Sequence, residues 1–175
     1  MAVHIRLLIT LHCLFSLQFL SEDTFLSKPL SLILLLLHLG TLAYLAVQWL
    51  KVSKSKRRIF LGKPLSADYV VYTMMVSNFV GIVFAKTLHY QFYSWYFHAI
   101  PLLLWISPTY PVVVRVLFVG VIEYAFNVFP ATPISSALLQ VVHLLILVSL
   151  KTPAQLNMAV VAAAASETKT NKKQE

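Results

Sequence analysis

The sequence predicts an all-α, polytopic transmembrane helical bundle, and three observations predict it. Of 175 residues, 59% are apolar and only 11% charged, a balance outside the range that keeps a globular domain soluble. The apolar residues come in long uninterrupted blocks, where a soluble amphipathic helix would return a polar face every three or four residues. The basic residues gather in two compact places, a loop after the first long block and the C-terminal tail, rather than along one face. Backbone polar groups in lipid must be satisfied inside helices or a closed barrel, and blocks without strict alternation are not barrel strands. The formal charge of +8 therefore reads as membrane topology, with the lipid bilayer as partner and no nucleic acid.

Taken in order, residues 1–25 are an apolar N-terminal segment and a short polar stretch. VHIRLLITLHCLFSLQFL carries an early Arg6 and an apolar centre, as a signal peptide does, but no small-residue cleavage site, and is read as a short span or anchor. Residues 26–150 form the transmembrane region. Its surest span is 29–50, about twenty residues without a charge, enough at roughly 1.5 Å each to cross a ~30 Å hydrocarbon core. The loop 51–67 follows, with Lys51, Lys54, Lys56, Arg57, Arg58 and Lys63, and that density of cations between two spans holds it in the cytosol. Further crossings are expected near 68–88, 91–107, 111–128 and 134–150, about five spans in all and six if the N-terminal segment also crosses. Gly81 and Ser77 suit close helix contact, and Asn78 is expected to face the bundle.

The stretch 91–107 is short and aromatic enough to be a re-entrant hairpin, and parity decides. The tail 151–175, polar and basic with Lys151, Lys169, Lys172 and Lys173, should share the cytosolic side with the basic loop. That requires an even number of crossings between them, so 91–107 counts as a span. The last four residues, KKQE, resemble a C-terminal dilysine retrieval signal of the endoplasmic reticulum formed by Lys172 and Lys173, which is read only in the cytosol; a merely solvated tail is the other reading. A single cysteine, Cys13, makes no internal disulfide.

The densest polar and aromatic group is His89, Tyr90, Gln91, Tyr93, Trp95, Tyr96 and His98, placed by this topology at the membrane surface opposite the cytosol. Tyr and Trp collect at interfaces because an apolar ring with one polar edge is stable there. The same imidazoles and phenols would also bind a phosphate or sugar head group carried on a lipid. In the next span Arg115 and Glu123 stand out, since ionisable groups in hydrocarbon cost at least about 2.5 kcal/mol near its centre. Eight residues apart, they are separated by roughly 12 Å of rise and are not each other's partner. Arg115 can snorkel to the near surface. Glu123, with Asn127 one turn beyond, is either a hydrogen-bonded structural residue or a carboxyl available for proton transfer. His38 and His143, alone on apolar helices, are expected to pack. No phosphate-binding glycine loop, nucleophile elbow, zinc helix or metal-ligand cluster occurs, and no cofactor or metal is predicted.

The segment KTLHYQFYSWYFHAIPLLLW resembles the C-terminal region of the asparagine-linked-glycosylation, dolichyl-phosphate-mannose-dependent α-1,3-mannosyltransferases. FLSEDTFLSK at 19–28, SNFVGIVFA at 77–85 and IEYAFNVFPAT at 122–132 add to the resemblance, which covers about residues 17–150. It implies a multi-pass protein of the endoplasmic-reticulum membrane whose substrates are dolichyl-phosphate-mannose and the five-mannose, dolichyl-pyrophosphate-linked oligosaccharide. It implies a substrate site at the luminal aromatic segment, with Glu123 and Asn127 as further candidates. It also implies a catalytic acidic residue in a first luminal loop that has no counterpart here, so that the chain reads as a C-terminal portion and its catalytic residue stays unknown. Two other readings are open: a noncatalytic polytopic membrane interaction protein, and a transporter or channel using Arg115, Glu123 and Asn78 as a polar path.

Overall fold

The computed structural model describes residues 17, 19–51, 67–107 and 109–150. The N-terminal segment before residue 17, most of the basic loop, and the tail with Lys172 and Lys173 lie outside the described residues. Within them the chain is helical with no strand, in the order α1 (Glu22–Leu26), α2 (Lys28–Lys51), α3 (Ala67–Val83), α4 (Tyr90–Tyr96), α5 (Ala99–Ile106), α6 (Val112–Asn127) and α7 (Pro133–Ser149).

Prolines and hydroxyls set three of the helix ends. Pro29 lies in the first turn of α2, where no backbone N–H is missed, and Ser27 Oγ accepts from Leu30 N at 3.4 Å. Ser107, before Pro108, is extended at φ −89°, ψ 120° and closes α5. α7 opens on a reciprocal box: Thr132 Oγ1 accepts from Ser135 N at 3.1 Å, and Ser135 Oγ accepts from Thr132 N at 3.0 Å. Pro133 fills the first helical position.

α3 is the hub. It touches α2, α4, α5 and α7, while α6 packs along α7 and against α5. Its residues Tyr72, Val76, Phe79, Val80 and Val83 recur at helical spacing and are buried. Its other side is also apolar, with Val70, Val71 and Met74 exposed. On α7 Ser135, Ser136, His143 and Ser149 face inward beside Leu139, Val142 and Ile146, while Ile134, Leu138, Val141, Leu144 and Val148 face out.

Among the described residues, only α2 is long and apolar enough, by length and composition, to cross a membrane, and almost none of it is buried. Its 24 residues rise about 36 Å. The expected spans 68–88, 111–128 and 134–150 appear as regular helices of 17, 16 and 17 residues, so their lengths fall to roughly 24–26 Å. The stretch 91–107 is not one regular helix. It divides into α4 and α5 at Phe97 and His98, because Pro101 offers no N–H to the carbonyl of Phe97 and its ring crowds that carbonyl. Phe97 and His98 keep helical dihedrals, so the division is a kink that lets α4 and α5 each meet α3.

Candidate functional site

α4 presents two faces. On the inner face, Tyr93 stacks on Phe126 of α6 with centroids 4.7 Å apart and planes inclined by 27°. Its hydroxyl donates to Glu123 Oε2. The other carboxylate oxygen, Oε1, accepts from Asn127 Nδ2 at 3.1 Å, and the same amide donates to the Glu123 carbonyl at 2.8 Å. Glu123 and Asn127 are neighbours because they stand four apart on α6, whereas Tyr93 reaches them from thirty residues away. Glu123 and Asn127 remain exposed and Tyr93 is half-buried. The carboxylate is thus held by a donor on each oxygen while open on one side, an arrangement able to accept from a sugar hydroxyl and to fix its orientation.

One turn on, Tyr96 is fully buried and its hydroxyl lies 3.0 Å from His143 Nε2 on α7. The Phe79 ring meets His143 edge-on at 5.5 Å. His143 Nδ1 has no hydrogen-bond partner among the described residues. His143 packs in the core as its apolar helix suggests, and it also supplies the polar partner that lets a tyrosine hydroxyl be buried there.

The outer face of α4 carries His89, Phe92 and Trp95. His89 stacks with Phe92 at 6.2 Å and 20°, and Phe92 meets Trp95 edge-on at 4.7 Å. Trp95 is 55% exposed. Asn78 of α3 donates to the Trp95 carbonyl at 3.2 Å, which fixes α4 to α3 although the Asn78 side chain is exposed. Gln91 and His98 are exposed, and the Tyr90 side chain lies outside the described residues. The single constellation read along the chain is therefore distributed: Tyr93 joins Glu123 and Asn127, Tyr96 joins the core, and His89 and Trp95 line the far side.

Neither ionisable group of α6 pairs with the other. Arg115 Nε donates to the Tyr110 carbonyl at 2.7 Å, with its guanidinium 5.6 Å from the Trp105 ring centre. At that end Ser107 Oγ donates to the Ser149 carbonyl at 2.7 Å and Tyr110 Oη to the Leu145 carbonyl at 3.2 Å. At the end holding Glu123, Lys86 Nζ donates to Ser31 Oγ at 2.8 Å and lies 5.0 Å over the Phe25 ring. Sequence reading passed over Lys86 and the Tyr96–His143 pair. The first entered only as the opening residue of KTLHYQFYSWYFHAIPLLLW. The second joins residues 47 apart, which no local spacing predicts. Among the described residues, no group of three or more His, Cys, Asp and Glu is placed to hold a metal ion.

Comparison with known proteins gives a consistent set. The family model described as ALG3 protein matches residues 14–136. The Dol-P-Man:Man(5)GlcNAc(2)-PP-Dol alpha-1,3-mannosyltransferase of Arabidopsis thaliana is 42% identical over 154 residues, an alignment covering 76% of this chain and 35% of the relative. The Homo sapiens protein of the same name is 39% identical over 144 residues, covering 76% of this chain and 33% of the relative. That of Neurospora crassa is 36% identical over 140 residues, covering 69% and 31%. The chain spans about a third of the length of the curated relatives it matches. No solved structure matches it.

Proposed function

The chain belongs to the ALG3 protein family, and from that premise we propose that it is the C-terminal membrane portion of a dolichyl-phosphate-mannose-dependent α-1,3-mannosyltransferase. The reaction extends the five-mannose, dolichyl-pyrophosphate-linked oligosaccharide on the luminal face of the endoplasmic reticulum. This chain contributes the wall of the substrate site formed by α4 and the end of α6. The observation that carries this reading is the carboxylate of Glu123, exposed yet held by Tyr93 from one helix and Asn127 from its own. Such a carboxylate accepts from sugar hydroxyls. With a donor on each oxygen its position is fixed, and its role is to orient substrate.

The same reading makes the chain a multi-pass membrane protein. α7 hides serines and a histidine and exposes aliphatic residues, an arrangement favourable in lipid and costly in water. α3, α6 and α7 are short of a ~30 Å core as helices, but the non-helical residues 84–89 and 128–132 continue them. An endoplasmic-reticulum bilayer, nearer 27 Å, lowers the demand further. The basic loop and the tail then face the cytosol, where Lys172 and Lys173 serve retrieval. Alanine at both lysines should release the protein to later compartments on fractionation, and unchanged location removes the retrieval role.

The test of function is complementation of cells that lack the mannosyltransferase, reading their lipid-linked oligosaccharides, with this chain alone and with it co-expressed beside the relatives' preceding region. Extension of the five-mannose species only in the second case is the expected result. Persistent accumulation in both, with the protein present in the membrane, favours a noncatalytic membrane interaction protein instead.

A further inference from the structure

Lys86 lies in the segment between α3 and α4, half-buried, with its ammonium on Ser31 Oγ and over the Phe25 ring. It has no carboxylate partner among the described side chains. An ammonium carries three donors, and the Ser31 hydroxyl takes only one of them, so among the described side chains two donors are left for a ligand at a half-buried position. A cation on the side opposite the basic loop also runs against the positive-inside bias, so topology does not account for it. Three residues later begins the outer face of α4, the run His89, Phe92 and Trp95, whose rings contact one another in series and end in an exposed indole. A cation followed by an aromatic strip that ends in an exposed indole matches a ligand with one anionic end and a long apolar body.

We propose that Lys86 binds the phosphate of a phosphorylated isoprenoid lipid whose chain lies along the strip of His89, Phe92 and Trp95. This rests on the mannosyltransferase reading and deepens it. It assigns the lipid phosphate to the outer face of α4 and leaves the sugar to the inner face, at Tyr93, Glu123 and Asn127. The phosphate takes the free Lys86 donors as charge-assisted hydrogen bonds, the strong kind, and the unsaturated chain packs on ring faces and edges.

The experiment uses the full 175-residue chain in nanodiscs of neutral phospholipid, with Trp49 and Trp105 changed to Phe so that Trp95 reports binding. A short-chain isoprenyl phosphate is titrated against the matching isoprenol and against phosphatidic acid. Saturable change with the isoprenyl phosphate is expected. Lys86→Gln should weaken it by about tenfold or more, the loss of one charge-assisted contact, and Lys86→Arg should hold it within a few-fold. Ser31→Ala, which removes the internal partner and keeps the ammonium, should bind at least as well as wild type and guards against a merely structural Lys86. Lys28→Gln, an exposed lysine on the same side, should change nothing. Equal affinity of Lys86→Gln and wild type overturns the assignment while leaving the mannosyltransferase reading intact. So does equal response to isoprenol, which denies phosphate recognition, or to phosphatidic acid, which denies the isoprenoid. No response from wild type also overturns it, and complementation then judges the mannosyltransferase reading separately.

Discussion

Tyr93 and Tyr96 sit one turn apart on the same short helix, each with its hydroxyl on a residue of another helix, and their surroundings give them opposite work. Tyr96 meets His143 in a layer closed to solvent, against Phe79 and between α4 and α7. Tyr93 meets Glu123 where the carboxylate and Asn127 remain exposed. A polar pair sealed in apolar packing contributes to assembly, because neither partner has any alternative to the other. A polar pair open on one side keeps capacity for a ligand. Tyr96 thus fixes the height and rotation of α4 on α7, and Tyr93 presents chemistry at the position so fixed.

The comparison breaks most visibly at His143. His143→Leu fills most of the volume but strands the buried Tyr96 hydroxyl, and should cost about 1–3 kcal/mol of stability. The thermal midpoint of the purified protein in detergent reads this. Adding Tyr96→Phe should recover part of the loss, since the orphaned hydroxyl goes with it, and strictly additive losses would mean that the two residues are not coupled. Tyr93→Phe should behave in the reverse sense. Stability stays within about 0.5 kcal/mol, as for exposed contacts generally. In the co-expressed, complementing assembly, extension of the five-mannose lipid should fall about tenfold, the scale of one hydrogen bond to a charged group. Normal extension with Tyr93→Phe and with His89→Ala would reduce the aromatic segment to an interfacial belt.

A smaller effect separates the scaffold from both pairs. Thr132→Ala removes the hydroxyl that caps α7, at about 0.5–2 kcal/mol. It should lower the thermal midpoint without selectively lowering transfer, because the cap lies at the end of α7 and touches neither tyrosine. A loss of transfer larger than the loss of stability would show that the turn at 128–132 belongs to the site.

How much of this was legible depends on range. The helical class was written in the apolar blocks, and the Glu123–Asn127 contact in a four-residue spacing. The aromatic run announced that α4 mattered, but the stretch 91–107 was read as one span and the kink before Pro101 was not foreseen. The pairing of Tyr93 with Glu123 and of Tyr96 with His143 was not legible, because each spans at least thirty residues and depends on how far α4 turns on its neighbours. A lone histidine within VVHLLILV reads the same whether it meets a leucine or a phenol. Lys86 was hidden for another reason: a lysine at the end of an apolar block has an ordinary explanation in snorkelling, and only its packing on Phe25 and Ser31, with no carboxylate partner among the described side chains, makes it unusual.

Gly81 tests the contact between α2 and α3 and should give the smallest effect. Its sequence setting, SNFVGIVFA, suggests a glycine chosen for close approach. A Cβ built there would lie 3.9 Å from His38 Nε2 and no nearer to any other atom, which is ordinary contact distance. Gly81→Ala should therefore keep the helix pair and gain helix propensity of up to about 1 kcal/mol, leaving the thermal midpoint unchanged or slightly raised. A clear loss of stability would mean that α2 packs closer to α3 in the assembled protein than it does here. α2 would then belong with the closely packed pair of α6 and α7 rather than at the margin.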